Sequence, residues 1–139
     1  MYAKYNSGEK VVRLTEASSP KYSLSHGRNY LVLAITVMAA DEMNPSRVLY
    51  QVLNDFGGIS HVPAKLFDIS DGRGSASWMA RHENDGSFLL WPREFFVEYF
   101  HDDLSEGRLA AMEIFDRVVT RLKSEASSSE ELSSSSQPR

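Results

Sequence analysis

"RVLYQVLNDFGGISHV", residues 47–62, alternates in character on both sides of a turn. Val48, Tyr50 and Val52 fall on one side of an extended chain and Leu49, Gln51 and Leu53 on the other, the period-two pattern of a strand. Asn54-Asp55-Phe56-Gly57-Gly58 then sets two turn formers and two glycines between apolar runs, which is hairpin chemistry. The expectation is an exposed turn with Gly57 or Gly58 at positive φ and Asp55 hydrogen-bonded to its own backbone. Asp55-Phe56-Gly57 is also the tripeptide that holds magnesium in protein kinases. That use requires an upstream glycine-rich loop, a strand lysine paired with a helix glutamate, and an HRD loop. None of these precedes Asp55.

Working outward, the β-branched and aromatic run from Tyr30 to Met38 reads as a central strand after a turn at Gly27. Its apolar residues occupy both faces, so cover is expected on both sides. "DEMNPS" (41–46) is a loop, because Asn44-Pro45 starts turns and the residue before proline avoids the helical region. "KLFDISD" (65–71) gives another strand. "SASWMARHE" and "SFLLWP" flank Asn84-Asp85-Gly86, a strong hairpin signal. With "VVRLT" (11–15), five to six strands joined by short turns predict a small curled antiparallel sheet.

From Pro92 the period becomes helical, with Phe95, Phe96, Tyr99 and Phe100 on one side. A second helix is expected from an N-cap at Ser105 to about Lys123, its buried stripe being Leu109, Met112, Phe115, Val119 and Leu122, widened by Ala111 and Val118. "SEASSSEELSSSSQPR" (124–139) is too polar to form a core and reads as a disordered tail. The organisation is thus a flexible 1–10, one α+β domain over 11–123, and a tail over 124–139.

The chain has 139 residues, no cysteine and a formal net charge of -4. A disulfide framework, thiol catalysis and cysteine-ligated zinc are excluded, and the overall field disfavours nucleic acid. The longest apolar run, Tyr30 to Ala40, is too short to span a bilayer as a helix. The reading is a cytoplasmic protein with no membrane partner and no cofactor.

No nucleophile, base and stabiliser assemble from the sequence, so no catalytic residue is assigned and no enzyme is expected. Ser105 lacks a nucleophile-elbow context. His101-Asp102-Asp103 resembles part of a metal site, but adjacent helical residues point apart, and a solvated acidic corner at a helix C-terminus is the simpler account. The four histidines show no close ligand spacing, so no metal is assigned. Between Arg93 and Arg108 the chain carries Glu94, Glu98, Asp102, Asp103 and Glu106 without a lysine or arginine. Glu94, Glu98 and Asp102 recur every four residues, which on one helix would form an acidic stripe, either the wet side of that helix or a surface that steers and holds a basic protein. Trp78, like Trp91, reads first as a core residue, with partner contact by a small barrel as the functional alternative.

"LSHGRNYLVLAI" (24–35), "YQVLNDFGG" (50–58), "VPAKLFDISD" (62–71) and "WPREFFVEYF" (91–100) together resemble a group of small bacterial proteins with an SH3-like sheet. Several of these look like immunity proteins of contact-dependent growth inhibition and other polymorphic toxin systems. The resemblance covers about residues 22 to 122. It implies an α+β, SH3-like curled sheet followed by two helices, and a protein that binds and blocks a toxin domain, in some cases a nuclease. An SH3-like module for another protein partner is the alternative, and a small hydrolase stands behind both.

Overall fold

The computed structural model describes the backbone of residues 1–6, 18–19 and 21–135, and side chains for residues 1–6 and 21–127. The architecture is α+β: an open, curled antiparallel sheet followed by C-terminal helices. The strands are β1 (Tyr2–Tyr5), β2 (Ser18–Ser19), β3 (Leu24–Ser25), β4 (Asn29–Met38), β5 (Arg47–Leu53), β6 (Ile59–Pro63), β7 (Phe67–Asp71), β8 (Trp78–His82) and β9 (Phe88–Pro92). The helices are α1 (Phe100–Ser105) and α2 (Leu109–Ser135). The main sheet has seven strands, and β2 pairs β3 apart from it.

The axis is β4, ten residues long. One edge of it pairs β5. The other is shared, with β1 paired at residues 29–31 and β9 at 35–37, so the sheet divides into a β1–β7 arm and a β9–β8 arm. The division coincides with a bulge, because Val32 faces Val52 while Ala34 faces Gln51, leaving Leu33 outside the register. A bulge adds local twist, which lets the arms diverge. It also puts Leu33 and Ala34, adjacent in sequence, into the same core.

Two cores cover the two faces, as the mixed apolar character of 30–38 requires. Inside the curl lie Ala3, Tyr5, Leu24, Tyr30, Val32, Tyr50, Val52, Val62 and Phe67. On the other face Leu31, Leu33 and Ala34 meet Phe95, Phe100, Ala111, Phe115, Val118 and Leu122.

Several sequence expectations change. Residues 2–5 of the supposedly flexible 1–10 are a strand, held between β4 and β7, because Ala3 and Tyr5 supply apolar surface to the inner core. The strand expected at 11–15 lies outside the described residues. Helix α2 passes beyond Lys123 into the expected tail, and Glu125 accepts hydrogen bonds from Ser75 Oγ (2.6 Å) and Ser77 Oγ (2.7 Å). Ser105 is the last residue of α1, not an N-cap. Gly107, at φ 74°, ends that helix. Arg108 N donates to Asp103 O and Gly107 N to Leu104 O, the paired bonds of a Schellman cap. Leu109 and Met112 stand exposed, so the buried stripe of α2 is carried by Ala111, Phe115, Val118 and Leu122.

The hairpin of 47–62 forms as the alternation predicts. Gly57 has φ 83° and Phe56 is 84% exposed at its tip. The bonding differs from expectation: Asn54 Oδ1 accepts from the backbone N–H groups of Phe56 and Gly58. Asp55 instead turns toward the β3–β4 region, accepting from Ser25 Oγ, Tyr30 Oη and Arg28 Nη1 at 2.7–3.0 Å. A carboxylate with three donors at hand is better satisfied there than by its own turn.

Candidate functional site at the 97–106 corner

Glu94, Glu98 and Asp102 do not share a helical face. Arg93–Phe96 form one 3₁₀ turn, Val97 is extended, and Tyr99 adopts the left-handed conformation at φ 66°, ψ 12° before α1 begins. The reason is aromatic. Phe95 and Phe100 are both buried and stack with centroids 5.1 Å apart. Residues five apart on a continuous α-helix diverge by about 140° and could not meet. Breaking the helix brings both rings into the outer core and pushes the intervening residues outward.

The corner is fixed from beneath. Phe96 stacks on Trp91 at 5.1 Å, and the Arg81 guanidinium lies 4.5 Å above the Phe96 ring. Phe100 N donates to Val97 O and Asp103 N to Tyr99 O. His101 is enclosed by Trp91, Phe95, Phe100 and His61. Its Nε2 lies 2.9 Å from Oε1 of Gln51, a side chain only 1% exposed. Gln51 Nε2 is buried without a partner. Burial, reinforced by the nearby His61 charge, pushes the His101 pKa below the usual imidazole value, while Asp102 opposes the shift. His61 is lowered by burial as well.

The five acidic candidates divide into two groups. Glu94 is half-buried and forms a two-pronged bridge to Arg121, Oε2 to Nη1 at 2.8 Å and Oε1 to Nη2 at 2.9 Å. Those hydrogen bonds hold its pKa down at about 2, against the upward pull of burial. Asp103 and Glu106 both face Arg108, at 3.4 and 3.3 Å. Glu98 and Asp102 make no ion pair among the described residues and are exposed. Asp102 and Asp103 belong to the first turn of α1 rather than to a helix C-terminus. Trp78 points inward, packing on the inner core and donating its indole N–H to Leu33 O at 2.9 Å.

What remains exposed at the corner is Val97-Glu98-Tyr99 with Asp102. Val97 is 60% and Tyr99 65% exposed. A helical period groups Tyr99 on one side with Phe96 and Phe100, but the structure turns it outward instead. The signals against that reading were the five-residue separation of Phe95 from Phe100 and the helix-ending Gly107. A bulky residue in the left-handed region costs on the order of 1–2 kcal/mol. Here the left-handed backbone turns the Tyr99 ring into solvent, beside the exposed Glu98 and Asp102 in sequence.

Elsewhere most polar groups of the described clusters bond one another, with Arg121 Nε buried without a partner. The network of Ser25, Arg28, Tyr30 and Asp55 ties the β3–β4 turn to the 54–58 tip. A cleft of about 390 Å³ runs between the 71–76 loop and α2. Its charged side chains are engaged, Arg73 with Asp71, Arg121 with Glu94, and Glu125 with the two serines, and Met1 also lines it. No cluster of three His, Cys, Asp or Glu side chains able to hold a metal occurs among the described residues. No described helix is long and apolar enough to cross a membrane.

No family model, no curated protein and no solved structure matches this chain.

Proposed function

We propose that this chain is a stoichiometric protein-binding domain, of the kind that neutralises a toxin by covering its active site, and that Val97, Glu98, Tyr99 and Asp102 form its contact site. The observation that carries the reading is Tyr99. Its backbone is set at positive φ between the stacked, buried Phe95 and Phe100, so the segment that presents the exposed ring is already ordered before a partner arrives. An aromatic anchor with a charged rim is the usual composition of an interface hot spot. Glu98 and Asp102 supply that rim, and their charge selects a basic partner. A basic surface is in turn what a nuclease presents to its own substrate, which makes a nuclease domain a fitting target.

The role of each residue follows from its setting. Tyr99 anchors, Glu98 and Asp102 steer, and Glu94, Asp103 and Glu106 hold the corner through Arg121 and Arg108 rather than touching the partner. Trp78 is engaged in the core, so its use as a partner-stacking residue of an SH3-like module finds no support.

The test is to look for a toxin-domain gene next to this one and, where it is found, to co-express the two and measure binding kinetics on the purified pair. Protection, and an association rate that falls with salt and in Glu98→Lys and Asp102→Lys, are the expected results. Absence of protection and of binding would remove the toxin-neutralising role. Tight binding with unchanged rates in both variants would move the contact site elsewhere.

A further inference from the structure

Three strands of the main sheet have an edge unpaired by any described strand: β6, β7 and β8. Proteins usually blunt such edges with proline, bulges or charge, because a regular open strand is a template for another chain. Strand β6 ends in Pro63 and is blunted. Its pairing with β5 includes Asn54 N to Gly58 O, and alternating from there leaves residues 59, 61 and 63 facing outward, the last with no N–H to offer. Strand β7 carries a register shift against β1 and the carboxylates of Asp68 and Asp71. Strand β8 has neither proline nor bulge across Trp78–His82.

The free groups of β8 follow from its own register. Glu83 N donates to Ser87 O, which makes that a hydrogen-bonded pair and, by alternation, makes Arg81–Leu89 and Met79–Trp91 bonded pairs too. Trp78, Ala80 and His82 therefore direct their remaining backbone groups away from β9. Trp78 N is spent on Ser75 O, leaving its carbonyl.

We infer that β8 is a homodimer edge, pairing antiparallel with β8 of a second copy about a two-fold axis at Ala80. In that register Ala80 meets Ala80 of the second copy through two backbone hydrogen bonds. His82 of each copy donates to Trp78 O of the other. Met79 lies across from Arg81 of the second copy, so no like charges are opposed. Centring on Arg81 would oppose the two guanidinium groups, and centring on Met79 would leave only residues 78–80 of each strand overlapped. The Arg81 side chain does not reach across the edge, since it lies over Phe96 and bonds Glu83 at 2.8 Å on its own copy. Ala80 is exposed and small, which suits the axis. The pairing uses a surface separate in sequence from the 97–102 contact residues and does not depend on their role.

Sedimentation equilibrium of the full chain from about 5 to 500 µM is the test, a range chosen because a short edge-to-edge contact gives a weak dimer. Wild type is expected to approach twice the monomer mass at the upper end. Ala80→Glu opposes two carboxylates at the axis, and Ala80→Pro deletes an N–H that no strand of its own copy uses. Both are expected to remain monomeric throughout, with circular dichroism reporting an intact fold. A monomeric wild type at every concentration overturns the proposal, as does a dimer that persists in folded Ala80→Glu. Should Ala80→Pro unfold, Ala80→Glu carries the decision alone.

Discussion

The indole N–H of Trp78 replaces the backbone N–H that Pro92 lacks, donating to Leu33 O at 2.9 Å. The β4–β9 register pairs Ile35 with Leu90, so two residues further along Pro92 would stand opposite Leu33. Alternation makes that a bonded position, and proline cannot donate there. Trp78 is the cross-strand partner of Pro92 on β8 and reaches over it to the orphaned carbonyl. The division of the sheet and the burial of one tryptophan therefore have a common cause.

Trp78→Phe should keep most of the packing yet strand that carbonyl, costing about 2 kcal/mol. Urea denaturation measures it. Binding at the 97–102 corner should be unaffected, which separates this variant from those that follow.

Tyr99→Gly should raise stability while weakening binding. Glycine takes positive φ freely, so the strain is released, less the greater freedom glycine gives the unfolded chain; the net gain is about 0.5–1 kcal/mol. Partner affinity should fall at least tenfold, in the range of a lost aromatic anchor. Denaturation and surface plasmon resonance on the same preparation test both halves.

Glu94 contributes stability that depends on acid. Its folded pKa, about 2, lies below the usual value of 4.5, so the contribution is complete above about pH 4.5 and is lost as the pH falls toward 2. Glu94→Gln should flatten that part of the stability profile. At pH 7 it should cost about 1 kcal/mol, a figure kept small because the Arg121 partner is 35% exposed.

His101 gives a second acid-sensitive window. With its pKa below 6.5 in the folded state, the unfolded chain binds the proton first, so stability is full above about pH 6.5 and declines below it. Gln51→Leu alone should destabilise by about 1–2 kcal/mol by orphaning the imidazole N–H. Gln51→Leu with His101→Phe replaces both partners by apolar groups. That double variant should recover most of the loss and lack the His101 share of the pH dependence, which thermal melts between pH 5 and 8 will show.

The sequence by itself determined the strands from Tyr30 to Pro92, their turns, and the order of sheet then helices. Alternation in 47–62, the glycine at 57 and Asn84-Asp85-Gly86 are local signals, and local backbone energetics obeyed them. Tertiary structure decided what local rules could not reach. A helical period ran through Arg93–Phe100, but the stacking of Phe95 on Phe100 overrode it, breaking the acidic stripe and turning Tyr99 outward. Residues 2–5 looked too polar to hold a place, yet the apolar surface of Ala3 and Tyr5 fits a slot between β4 and β7 that exists only once the sheet has formed. Pairings such as Glu94 with Arg121, 27 residues apart, have no local signature. They decide which acidic residues are structural and which remain available to a partner, because side-chain availability depends on every neighbour that folding brings near.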